Sequence, residues 1–179
     1  MIVWQNGETI DDPWRVLDVD SPVPAIGQIV VPFERIVGAD AETLLHSECG
    51  LGVTVGVDDD LEQLAPWVAR LGLIILEVPV FSDGRPLSSA RIIRDQLGFA
   101  GDLRAQGDLL PDLYQFMVQV GFTSFAMAAA RFAQWQALGD EPDLDRLHMP
   151  LSYQTDLRAG LDQCAPIWRQ RHRQKRAAA

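Results

Sequence analysis

The sequence predicts one α/β domain of about five βα units. Its sheet is mainly parallel, either a partial barrel or an open doubly wound sheet, with an N-terminal β-hairpin and a C-terminal arm. Three observations carry this. Short β-branched or leucine-rich runs alternate with amphipathic stretches of about ten to twelve residues. Glycines stand at 72, 98 and 121, where three helices need a left-handed residue to stop. At 179 residues and 47% hydrophobic content, the chain can bury one good core and not comfortably two.

Taken in order, residues 1–19 alternate apolar and polar around Asn6-Gly7, a strong hairpin signal, so a hairpin is expected within 1–20. Ser21-Pro22-Val23-Pro24 is a stiff connector. Strands are then expected over 28–31, 52–57, 73–78, 102–106 and 124–127, and helices over 40–46, 61–71, 88–97, 109–120 and 129–138. Asp58-Asp59-Asp60 places carboxylates at the start of the second helix, Ser88 or Ser89 caps the third and Asp108 the fourth. The pattern fails after Gly139, which sets the α/β domain at 1–139. Residues 140–179 are expected to form an arm with one helix around 156–169 and a basic, disordered tail.

The formal charge of −10 is unevenly spread. Arg169, Arg171, Arg173, Lys175 and Arg176 occupy the last eleven residues without an acid, leaving a net of −15 on the rest. An acidic body repels nucleic acid. No run approaches the roughly 20 apolar residues that span a membrane, and the N-terminus lacks the pattern of a signal peptide, so a cytoplasmic protein is expected. Cys49 and Cys164 have no CxxC spacing, and His46 with Cys49 lacks a second ligand pair, so no metal is expected. There is no GxGxxG after a strand, no Walker loop and no GxSxG, so no cofactor is expected either. Trp4, Trp14, Trp67, Trp135 and Trp168 read as core or arm anchors.

Two clusters carry the candidate chemistry. Glu77 interrupts an apolar strand and Arg104 lies on the next one. They form either a buried ion pair that fixes register or the polar floor of a ligand pocket. At the carboxyl ends of the strands, Asp83, Arg85, Arg94 and Asp108 gather with Arg104 beside helix amino ends, as a site for a small oxyanion. The alternative is that Asp83-Gly84-Arg85-Pro86 is a turn held by an Asp–Arg bridge.

Phe81-Ser82-Asp83-Gly84-Arg85, Ser88-x-Ala90-Arg91, Leu97-Gly98-Phe99, Gly101-Asp102-Leu103-Arg104-Ala105, Gly107-Asp108 and Gly121-Phe122-x-x-Phe125 occur together. In this the chain resembles a proteobacterial family of unknown function, over residues 28–127 and weakly to Tyr153-Gln154. Members of that family are labelled oxidoreductases of sulfite reduction, and their genes lie beside those of sulfite reductase and phosphoadenylylsulfate reductase. The family pattern has a glycine and an aromatic after DGR, and an arginine-cysteine pair before the GF. This chain has Pro86-Leu87 and Gln119-Val120 there, so a role for that thiol does not carry over.

The family label implies an oxidoreductase, whereas the gene neighbours and the absence of a cofactor motif point to an accessory or assembly protein of sulfate or sulfite assimilation that docks to one of those reductases. The alternative is an enzyme or sensor binding sulfite, sulfate or phosphate at Asp83, Arg85, Arg94, Arg104 and Asp108. A partial barrel also leaves an edge that needs covering, so a homodimer is expected.

Overall fold

The computed structural model describes residues 1–6 and 8–137. The expected arm, its helix, the basic tail, Cys164 and Trp168 lie outside the described residues. The hairpin pairs β1 (Ile2–Gln5) with β2 (Glu8–Ile10) in antiparallel register, and Asn6 at its turn has φ 54°. Next come β3 (Trp14–Val16), β4 (Gln28–Pro32), β5 (Gly50–Val55), β6 (Leu71–Val78), β7 (Asp102–Gly107) and β8 (Ser124–Met127). The helices are α1 (Phe33–Val37), α2 (Ala41–His46), α3 (Arg85–Arg91), α4 (Tyr114–Val120) and α5 (Ala129–Ala137).

One eight-stranded sheet runs β2-β1-β8-β7-β6-β5-β4-β3, parallel from β3 to β8 and antiparallel across β8, β1 and β2. The order of the parallel strands never reverses. A doubly wound sheet requires such a reversal, so the partial barrel is the form adopted, and the sheet curls as a half-barrel. The chain connectivity demands the curl. β2 and β3 are opposite edges, yet only residues 11–13 separate them. Eight flat strands would be roughly 34 Å across, whereas Ile10 and Trp14 can be at most about 15 Å apart. Residues 11–13 are therefore a strap between the two edges.

Strand alternation gives the sheet two faces. The convex face carries Ile29, Val31, Val53, Ile74, Leu76, Leu103 and Phe125 into the main core, against Ile36, Leu44, Leu64, Ala90, Ile93 and Met117. Trp4, Tyr114, Phe125 and Trp135 close one end of that core as an aromatic cluster with centroids 5.0–5.9 Å apart. The concave face holds a smaller apolar group, Val30, Leu73 and Ile75, covered by Trp14.

Several boundaries differ from the expected ones, for local reasons. The helix expected over 61–71 is a 3₁₀ turn, Leu61–Leu64, followed by looser turns, because Pro66 interrupts the helical ladder. Gly72 lies inside β6 as a bulge opposite the Leu51/Gly52 step, so it ends no helix. Gly98 and Gly121 do stop their helices, at φ 70° and 111°. The third helix starts at Arg85, ahead of Ser88 and Ser89, because Asp83 accepts the Arg85 N–H at 2.9 Å and Pro86 needs no such partner. It continues as a π segment, Ile92–Gln96. The fourth starts with a 3₁₀ turn at Pro111, so Asp108 does not cap it. The sequence pattern predicts neither β3 nor α1, and β3 lies within the stretch that reads as hairpin.

Candidate functional site

The loops after β5 and β6, residues 56–60 and 79–84, meet at the carboxyl ends of the strands, the end at which half-barrels and barrels place their working groups. Arg85, the first residue of α3, clips them together. Its Nη1 donates to Asp58 Oδ1 at 2.6 Å, its Nη2 to Asp83 Oδ2 at 2.8 Å, and its Nε to both Asp83 oxygens at 3.1 Å. The Asp–Arg turn therefore forms, with Asp58 as a third member that spacing did not reveal. The hydrogen bond from the Arg85 side chain, then that from its backbone N–H, holds the Asp83 carboxyl below the usual aspartate range. The same bond raises the Arg85 guanidinium.

Beside this clip runs an open groove of about 720 Å³, lined by Val57, Asp59, Asp60, Leu61, Glu62, Gly84, Arg85 and the outer side of α3. Asp59 accepts the Gly56 N–H at 2.7 Å and Asp60 caps the 3₁₀ turn through the Glu62 N–H, so both carboxylates are held at the rim. Around one arginine stand five acids: Asp58, Asp59, Asp60, Glu62 and Asp83. The local field is negative, which opposes an oxyanion and suits a cationic group. Asp108, after β7, is paired with Arg131 of α5.

The other two residues expected at this site lie elsewhere, Arg94 at the opposite end of the sheet and Arg104 midway along β7. Arg94 is buried at the amino ends of β7 and β8. Its Nε and Nη2 donate to the Gly121 carbonyl at 3.0 and 2.9 Å, its Nη1 to those of Phe99 and Gly101 at 2.8 and 2.9 Å, and it stacks on the Phe99 ring. Arg104, 2% exposed, points into the concave face and bonds Asp12 of the strap at 2.7 Å, Ser124 Oγ at 3.1 Å and Asp102 at 3.4 Å. Ser124 and Thr123 hydroxyls donate in turn to Asp102.

The expected Glu77–Arg104 ion pair does not form. In the β6–β7 ladder Arg104 is level with Ile75 and Glu77 with Gln106, one pleat nearer the open end, where Glu77 is exposed. An exposed carboxylate keeps its water, whereas buried Arg104 requires carboxylates at its own depth. Asp102 was legible as that partner, two residues away on the same strand face. Asp12 carried no signal, because the strap that brings it there is a tertiary feature.

Among the described residues no group of three His, Cys, Asp or Glu side chains could hold a metal ion. His46 Nδ1 is hydrogen-bonded to the Glu42 carbonyl, and the Cys49 thiol is buried and donates to that of Pro24. No helix among them is long and apolar enough to cross a membrane.

Fold and site together define a half-barrel α/β domain with a clipped, acidic carboxyl-end face. The profile of the family described as bacterial protein of unknown function (DUF934) matches residues 52–158, more than half of the chain, and the chain belongs to that family. That span includes β6, β7 and β8, the Asp83–Arg85 clip and Arg104. No curated protein matches the sequence at a significant level.

Proposed function

We propose that this protein is an accessory or assembly factor of sulfate or sulfite assimilation, acting by docking to sulfite reductase or phosphoadenylylsulfate reductase. The pathway comes from the family resemblance of the 81–125 motifs. The docking mode rests on one observation: at the carboxyl-end face, Arg85 is bridged to Asp58 and Asp83 while Asp59, Asp60 and Glu62 stand around it. Such a face complements a basic protein surface better than a small anion.

The test uses each purified reductase immobilised and the purified protein in solution at 50 and 300 mM salt. Binding to one reductase, weakened by salt and at least tenfold by D58N/D59N/D60N, is the expected result. If neither reductase binds, while sulfite, sulfate or phosphate binds saturably and Arg85→Ala abolishes it, the protein is an oxyanion binder and the docking reading is wrong.

A further inference from the structure

The groove beside Arg85 has a complementary occupant in the same chain. Its floor is apolar, with Val57, Leu61 and Ile92, and its rim carries Asp59, Asp60 and Glu62. Val80 and Phe81, about half exposed, sit on the loop that leads into the groove wall. Arg85 is consumed by Asp58 and Asp83, so it leaves the rim charge uncompensated.

Residues 167–176 present the inverse pattern: Ile167 and Trp168, then Arg169, Arg171, Arg173, Lys175 and Arg176, with no acid after Asp162. An apolar pair followed by five cations matches an apolar floor beneath an acidic rim. The tether permits the match. Thirty-one residues lie between Ala137, the end of α5, and Arg169, and such a length spans up to about 105 Å. A folded domain of this size has a radius of gyration of only about 14 Å. A covalent tether also gives the segment an effective concentration in the millimolar range, so weak docking suffices.

We propose that the basic segment 167–176 docks in this groove of its own chain, with Trp168 toward the apolar floor and the cations on the acidic rim. Its consequence for a reductase, competition for the same acidic face, rests on the accessory reading above. The docking itself does not.

The full-length protein is compared with the full-length variant R169Q/R171Q/R173Q/K175Q/R176Q by hydrogen exchange and mass spectrometry. Segments 57–62 and 84–96 are expected to exchange several-fold faster in the variant, and in the wild type at 1 M salt. In the second arm, a fluorescent peptide of residues 165–179 is titrated into that variant. D59N/D60N/E62Q in the same background is expected to weaken binding at least tenfold, and D11N/E42Q/E48Q to leave it unchanged. Equal weakening by both sets means attraction to general acidity and overturns the proposal. So does unaltered exchange without peptide binding, and so does protection lost on dilution, which would place the segment on a second copy. Neither arm contains a reductase, so a failure to bind reductase leaves this outcome separate.

Discussion

Arg104 in β7 meets Asp12 of the strap at 2.7 Å across 92 positions of sequence, and this contact ties the connection between the two sheet edges to the centre of the sheet. The strap spans the concave face because β2 and β3 are opposite edges three residues apart. Arg104 gives it a fixed anchor there. Asp102 and Ser124 complete the charge and hydrogen bonding of the guanidinium, so a buried cation is held without an uncompensated group.

Arg104→Ala should therefore cost about 3 kcal/mol, the lower end of what breaking a buried pair costs, since both carboxylate partners retain some water. Asp12→Asn should cost less, and the double variant should show a coupling of about 1–2 kcal/mol. Urea unfolding of the three variants measures this. Additive effects would mean that the strap is not anchored by this bond.

Glu77→Gln should leave the urea midpoint unchanged. The side chain is exposed and makes no ion pair with any described residue, so removing its charge strands no partner. The contrast with Arg104→Ala separates the two halves of the pair that neighbouring strands suggest. A loss comparable to that of Arg104→Ala, or coupling between the two positions, would restore Glu77 as a structural partner.

Gly121→Ala should destabilise the fold by about 3 kcal/mol. The residue has φ 111°, which an L side chain rarely adopts, and an added Cβ would lie 2.6 Å from Arg94 Cγ. Arg94 has little freedom to retreat, because it holds the carbonyls of Phe99, Gly101 and Gly121. Arg94→Met, which leaves those carbonyls without their donor, should approach the same loss. The double variant should cost less than the sum, since the first change already displaces what the second disturbs. Full additivity in thermal or urea unfolding would sink this account.

The strands expected at 28, 102 and 124 start at those residues in the structure, because each is a short β-branched or mixed run bounded by a turn former and its pattern is local. The site was legible only where it, too, is local. Asp83 and Arg85 are two residues apart and meet as a turn, whereas Asp58 reaches Arg85 from another loop. Helix face and strand position in the sequence predict Arg94 and Arg104 at the carboxyl ends, and what places them elsewhere is depth along a strand or helix. Arg94 serves carbonyls at the amino ends of β7 and β8, and Arg104 sits one pleat below Glu77. Pattern shows which face a residue takes, but height on that face depends on where the ladder begins. β3 escaped because three residues within an apparent hairpin carry no period of their own, and only the curl of the sheet gives them β4 as a partner.

The Asp83–Arg85 clip should make the groove wall acid-labile without affecting it near neutrality. The folded Asp83 carboxyl titrates below its unfolded value, because Arg85 donates to its charged form from both side chain and backbone. Its contribution is therefore fully present above the unfolded value, about pH 4, and is lost as pH falls through the lowered folded value. Arg85 stays charged throughout. Carboxyl chemical shifts should show Asp83 titrating below an ordinary aspartate, and Arg85→Ala should move it back toward that range. The Arg85 amide, which donates to Asp83, should lose its protection over the same acid interval. An Asp83 that titrates at or above the usual aspartate range would mean that the clip is open in solution, and the loops of residues 56–60 and 79–84 would then have no fixed spacing. With the clip intact from pH 5 upward, the acidic face is preformed at physiological pH, and the proposed docking would then proceed without the cost of ordering those loops.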